Sequence, residues 1–122
     1  MNKLVFVDSN IWLYAFMEEE IEKKIIALKV IEKNHVILST QVLNEVTFNL
    51  IKKAGYSESD VEIFIHNIYK NYNIFNITEE VILKASNIRH FHKISFWDSF
   101  ILASAIVYKC NTLCSEDMQH NT

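Results

Sequence analysis

The chain has 122 residues, half of them hydrophobic, and a formal net charge of −3, which describes one domain near the usual size of about 100–150 residues with a real core and no disordered tail. No stretch approaches the roughly 20 apolar residues of a membrane span, and Asp8 interrupts the first apolar run short of the about 7–15 residues of a signal-peptide core. The two cysteines, Cys110 and Cys114, offer no disulfide framework and read as structural thiols in a reducing cytosol, placing the protein in the cytoplasm.

In chain order, Leu4-Val5-Phe6-Val7 reads as a buried strand, after which Ser9 or Asn10 caps a short helix carrying Ile11 to Phe16. Glu18 to Lys33 has helical periodicity with acidic residues in its first turn, and Ile21, Ile25, Leu28 and Ile31 form its apolar stripe. Val36-Ile37-Leu38 is a second strand. Ser39-Thr40 opens a helix running to about Ala54 and closed by Gly55, the single glycine of the chain. Ser57-Glu58-Ser59-Asp60 has capping-box spacing and opens another helix, with Val61, Phe64, Ile65 and Ile68 on one side. Asn73 to Ile77 is a third strand, and Thr78 caps a helix to about Phe91. Ser95-Phe96-Trp97-Asp98 repeats the capping-box spacing before an apolar helix to about Asn111, and Thr112 to Ser115 follows as the last strand. Strands separated by helices require βαβ crossovers, hence a parallel sheet covered on both faces.

The carboxylates stand at the seams of this pattern. Asp8, Asp98 and Asp117 lie where an apolar segment meets a loop or a helix start, and Glu45 sits between Val42 and Phe48 in an apolar helix pattern. In an open α/β sheet, ligands bind at the carboxyl ends of the strands. Asp8 on its own reads equally as a helix cap, Asp98 as a capping-box partner and Asp117 as a loop residue. Together they need a partner, because a buried unpaired carboxylate costs several kcal/mol, and Arg89 is the only arginine. A metal ion is the economical partner. Leaving these four carboxylates out of the balance turns the net charge from −3 to +1, so an acidic chain remains compatible with a nucleic-acid substrate.

Four segments resemble the motifs of PIN-domain nucleases. Val5-Phe6-Val7-Asp8-Ser9-Asn10-Ile11 looks like the first motif, and Leu38-Ser39-Thr40-Gln41-Val42-Leu43-Asn44-Glu45-Val46 like the second. Residues Ile94 to Ala105, with Ser95-Phe96-Trp97-Asp98 at their start, are similar to the third, and Cys114-Ser115-Glu116-Asp117-Met118-Gln119-His120 to the fourth. The nearest likeness is to VapC-type toxins of bacterial type II toxin–antitoxin modules. The resemblance covers residues 1–122 as one PIN domain. It implies an α/β fold: a three-layer α/β/α sandwich around a parallel sheet of about four strands. The family's last short strand is apparently missing here, so the domain reads as C-terminally short.

By position, the resemblance assigns Asp8, Glu45, Asp98 and Asp117 as catalytic and metal-binding residues. Ser9, Asn10, Ser39 and Thr40 become auxiliary groups for water or phosphate, and Glu116 is peripheral. It implies a metal-dependent endoribonuclease using one or two Mg²⁺ or Mn²⁺ ions, which prefer oxygen ligands. The implied partners are RNA, a cognate antitoxin and a second copy of the chain, with no membrane. The alternatives are a non-toxin PIN nuclease of RNA processing and a degenerate, non-catalytic module. Arg89, His92 and Lys93 precede the third motif and read as a solvated basic loop or as phosphate contacts. Trp12, Tyr14, Phe16 and Trp97 stand in helices with apolar neighbours and read as core or subunit interface rather than as base-stacking platforms, and His90 and His92 need no catalytic role.

Overall fold

A computed structural model describes residues 4–115 and, for the backbone alone, residues 119–121. The elements run β1 (Leu4–Val7), α1 (Ser9–Phe16), α2 (Ile21–Lys33), β2 (His35–Ser39), α3 (Thr40–Ala54), α4 (Glu58–Asn71), β3 (Asn73–Phe75), α5 (Glu79–Phe91), α6 (Phe96–Val107), β4 (Thr112–Cys114) and β5 (Gln119–Asn121). The sheet order is β3-β2-β1-β4-β5. The first four strands are mutually parallel, with Val5 opposite Val36, Phe6 opposite Leu113 and Leu38 opposite Ile74. From β1 the chain steps outward to β2 and β3, then crosses back to lay β4 on the other side of β1. That reversal makes the carboxyl ends of β1 and β4 the topological switch point, where an open α/β sheet forms its ligand crevice.

Local chemistry sets most helix boundaries. Ser39 and Thr78 cap α3 and α5 by accepting the Val42 and Val81 amides. Ser57 and Asp60 form a reciprocal capping box at α4, and Gly55 ends α3 in the left-handed region at φ 70°. At α6 only half of the expected box forms: Ser95 accepts the Asp98 amide, while the Asp98 carboxylate is left for other work. Helix α6 ends at Val107 instead of near Asn111 because Lys109 adopts φ 59°. The Cys110 amide then reaches back to the Ala105 carbonyl and the Lys109 amide to Ile106, the Schellman pattern that stops a helix.

The core is built on β1, β2 and β4, where Val5, Phe6, Val7, Val36, Ile37, Leu38 and Leu113 are buried under α1, α3 and α6. A smaller cluster of Val81, Ala85, Ile88 and Ala103 joins α5 to α6. Two expectations need correction. Helix α2 turns Ala27 and Ile31 inward and leaves Ile21 and Ile25 64% and 49% exposed. It packs with its C-terminal half, where the small Ala27 side chain allows close approach to the core. The final strand is also present: β5 pairs antiparallel with β4, His120 opposite Leu113. Its Gln-His-Asn sequence carries no apolar alternation; it forms because the outer edge of β4 would otherwise expose unpaired backbone groups.

Candidate active site

Asp8 is fixed by the end of β1. Its amide donates to the Cys114 carbonyl at 3.0 Å, tying the carboxyl ends of β1 and β4 together. The Trp12 indole N–H donates to the Val7 carbonyl at 3.1 Å and locks the start of α1 beneath it. Asp8 is the N-cap of α1, and its Oδ1 accepts the Ser9 amide at 2.6 Å. Ser9 itself is buried, and its hydroxyl donates to Glu45 Oε2 at 2.9 Å while lying 3.4 Å from Asp8 Oδ1. One serine therefore joins the first and second motifs. Gln41 donates from Nε2 to Glu45 Oε1 at 3.3 Å. Its spacing one helical turn before Glu45 was a signal available in the sequence.

Asp98 comes from the first turn of α6 and is half-buried, as are Asp8 and Glu45. Burial pushes the Asp8 carboxyl up from 3.8 to about 6; the Ser9 amide opposes this, and the negative charges of Glu45 and Asp98 add to it. Asp8 thus feels the charge of both other carboxylates. The Cys114 thiol beside it is likewise held above its ordinary value, by burial first and by the Asp8 charge second. Three carboxylates and a serine hydroxyl are a hard-oxygen donor set, which fits Mg²⁺ or Mn²⁺ and suits a soft metal poorly. Among the described residues no three His, Cys, Asp or Glu side chains are close enough together to hold an ion.

The other expected site residues are placed as follows. Asn10 lines a separate cavity with Tyr14, Glu20 and Lys53. Ser39 is wholly buried and uses its oxygen to cap α3, and Thr40 is half-buried as the first residue of that helix. Asp117 and Glu116 lie outside the described residues. Arg89 does not pair with the carboxylates: it donates to Ser99 Oγ at 2.7 Å and stacks over Phe96 at 4.6 Å, stapling α5 to α6. Trp12 is core as expected, whereas Trp97 is 63% exposed and belongs to no core cluster.

An open α/β sheet with Asp8 at the junction of β1 and β4, joined through Ser9 to Glu45, defines the general class. The chain belongs to the PIN domain family, whose profile matches residues 5–121. Its fold is similar to that of a toxin–antitoxin complex from Klebsiella pneumoniae, with a TM-score of 0.73 at 19% identity over 91% of this chain and 84% of that one. It is similar also to a VapC toxin of Mycobacterium tuberculosis that cleaves the sarcin–ricin loop, with a TM-score of 0.73 at 18% identity over 93% of this chain and 91% of that one. A third similar structure is FitAcB from Neisseria gonorrhoeae, with a TM-score of 0.68 at 17% identity over 93% and 87% of the two chains. No curated protein gives a significant sequence match. At these identities the structural likenesses establish the fold.

Proposed function

We propose that the protein is a metal-dependent endoribonuclease and the toxin component of a toxin–antitoxin module. The observation that carries this reading is the Ser9 bridge: it sets Asp8 and Glu45 together at the switch point, where Asp98 also acts on Asp8. When bound, Mg²⁺ or Mn²⁺ supplies Lewis acidity and neutralises phosphate charge. Asp8 and Asp98 would hold the ion, with Glu45 and Asp117 completing the set. Gln41 and Ser9 each take one Glu45 oxygen and so fix that carboxylate's orientation. Burial raises the Asp8 carboxyl to about 6, so a proton competes with the cation there, and at limiting metal, activity is expected to rise with pH through that range.

RNA as the substrate, an antitoxin that covers the site, a homodimer and a cytoplasmic location belong to the same proposal. The antitoxin is supported by the toxin–antitoxin complex among the similar structures. Association is supported by exposed apolar side chains such as Ile21, Ile26 and Leu83. The free thiols of Cys110 and Cys114 suit a reducing compartment. No described helix is long and apolar enough to cross a membrane. The test is cleavage of labelled RNA in Mn²⁺ by the wild type and by Asp98→Asn. The substitution is expected to abolish turnover while leaving circular dichroism native-like; wild-type turnover in the variant would refute the site.

A further inference from the structure

The segment that precedes Asp98 in the chain is built unlike the rest of this acidic protein. From Val81 to Trp97 the chain contains no carboxylate but carries Lys84, Arg89, His90, His92 and Lys93. Its end leads directly to Asp98. Here Trp97 is 63% exposed and Phe96 51%, their rings in edge contact at a centroid distance of 5.2 Å. Phe100 braces both, at 5.1 Å from Phe96 and 6.3 Å from Trp97. One face of Phe96 is already occupied by the Arg89 guanidinium at 4.6 Å, and Arg89 is held in turn by Ser99. The cluster is therefore braced from below, and its outermost member is an indole one residue from a candidate catalytic carboxylate.

Leaving an indole mostly in water forfeits the burial that normally places tryptophan inside. A braced aromatic face four residues after the exposed Lys93 complements an unpaired nucleotide: the base stacks on the ring and its phosphate meets the positive charge. We propose that Trp97, backed by Phe96 and Phe100, is the stacking platform for an unpaired base next to the scissile phosphate, with Lys93 contacting the backbone. Trp97 is then a positioning residue that selects single-stranded or looped RNA, because a base stacked inside a duplex cannot reach it. This rests on the nuclease reading above and deepens it.

Trp12, the other tryptophan, is 1% exposed, so quenching of fluorescence by added nucleic acid reports on Trp97. With EDTA present to prevent cleavage, a short single-stranded oligoadenylate is expected to quench the wild type, and the same sequence in duplex form to quench far less. In Mn²⁺, Trp97→Ala is expected to raise KM for a looped RNA on the order of tenfold with a smaller effect on kcat. Trp97→Phe restores most of the loss, and Lys93→Ala lowers the slope of log affinity against log salt by about one.

An unchanged KM in Trp97→Ala, or equal quenching by duplex, overturns the proposal. So does a Trp97→Ala variant that sediments as a monomer where the wild type is a dimer and keeps the wild-type KM, which makes the patch a contact between copies. Quenching by single strands in a wild type that never cleaves RNA refutes the nuclease reading and leaves the platform standing. Cleavage with no quenching does the reverse.

Discussion

Replacing Asp8 by asparagine isolates the electrostatic cost of the site. Folding holds the Asp8 carboxyl at about 6, against an ordinary value of 3.8. At 1.36 kcal/mol per tenfold change in acidity constant, that corresponds to about 3 kcal/mol. Because the folded-state value is raised, the associated stability is fully present below 3.8 and is lost as pH rises through about 6. Asparagine keeps an oxygen that can accept the Ser9 amide but has no charge to desolvate and none to repel Glu45 and Asp98. Some of the gain is offset, because the short Ser9 bond is no longer charge-assisted. In EDTA at pH 7.5, Asp8→Asn is therefore expected to be more stable than the wild type by about 2 kcal/mol, roughly 6–10 °C in Tm for a domain of this size. At pH 4 the difference vanishes. Urea and thermal melts of both proteins at the two pH values measure it. Comparing the pair also cancels groups common to both, such as Asp60, whose bonds to Ser57 lower its pKa and favour the fold at higher pH. A variant no more stable than the wild type at pH 7.5, or a difference independent of pH, refutes the burial that holds the Asp8 carboxyl above its ordinary value.

Saturating Mn²⁺ reverses that sign for the wild type. At about a hundred times its dissociation constant it adds roughly 2.7 kcal/mol, a shift expected to shrink sharply in Asp8→Asn and Asp98→Asn and to persist in Asp60→Asn; equal melting with EDTA and with Mn²⁺ removes the metal site. Arg89→Ala breaks the bond to Ser99 and the stacking on Phe96. It is expected to cost about 2 kcal/mol in urea unfolding, and Arg89→Lys to recover only part, because an ammonium lacks the planar fork. No loss in Arg89→Ala would show that the staple is idle.

The sequence by itself determined what short-range chemistry determines. Ser57 with Asp60, Thr78, and Ser39 with Gly55 mark helix ends through contacts three to five residues apart, so they are legible without any fold. The alternation of strands and helices forced a parallel sheet, and a parallel sheet puts Asp8, at the end of β1, on the ligand-binding edge. Tertiary structure decided the rest. Only the strand order β3-β2-β1-β4-β5 makes β1 and β4 the switch point, and only long-range packing brings Ser9 against Glu45, 36 residues away. Helical spacing identified an apolar stripe on α2, but only its C-terminal part, Leu28 and Ile31 with Ala27 beside them, meets the core, and Ile21 and Ile25 stay outside. Trp97 stands at helical spacing among apolar neighbours, which suggested core or subunit interface, and it is not core. It lies in the first turn of α6, ahead of the buried Ile101 and Ala105. Periodicity records which residues share a helix face, whereas burial depends on how far the neighbouring layer extends along that face.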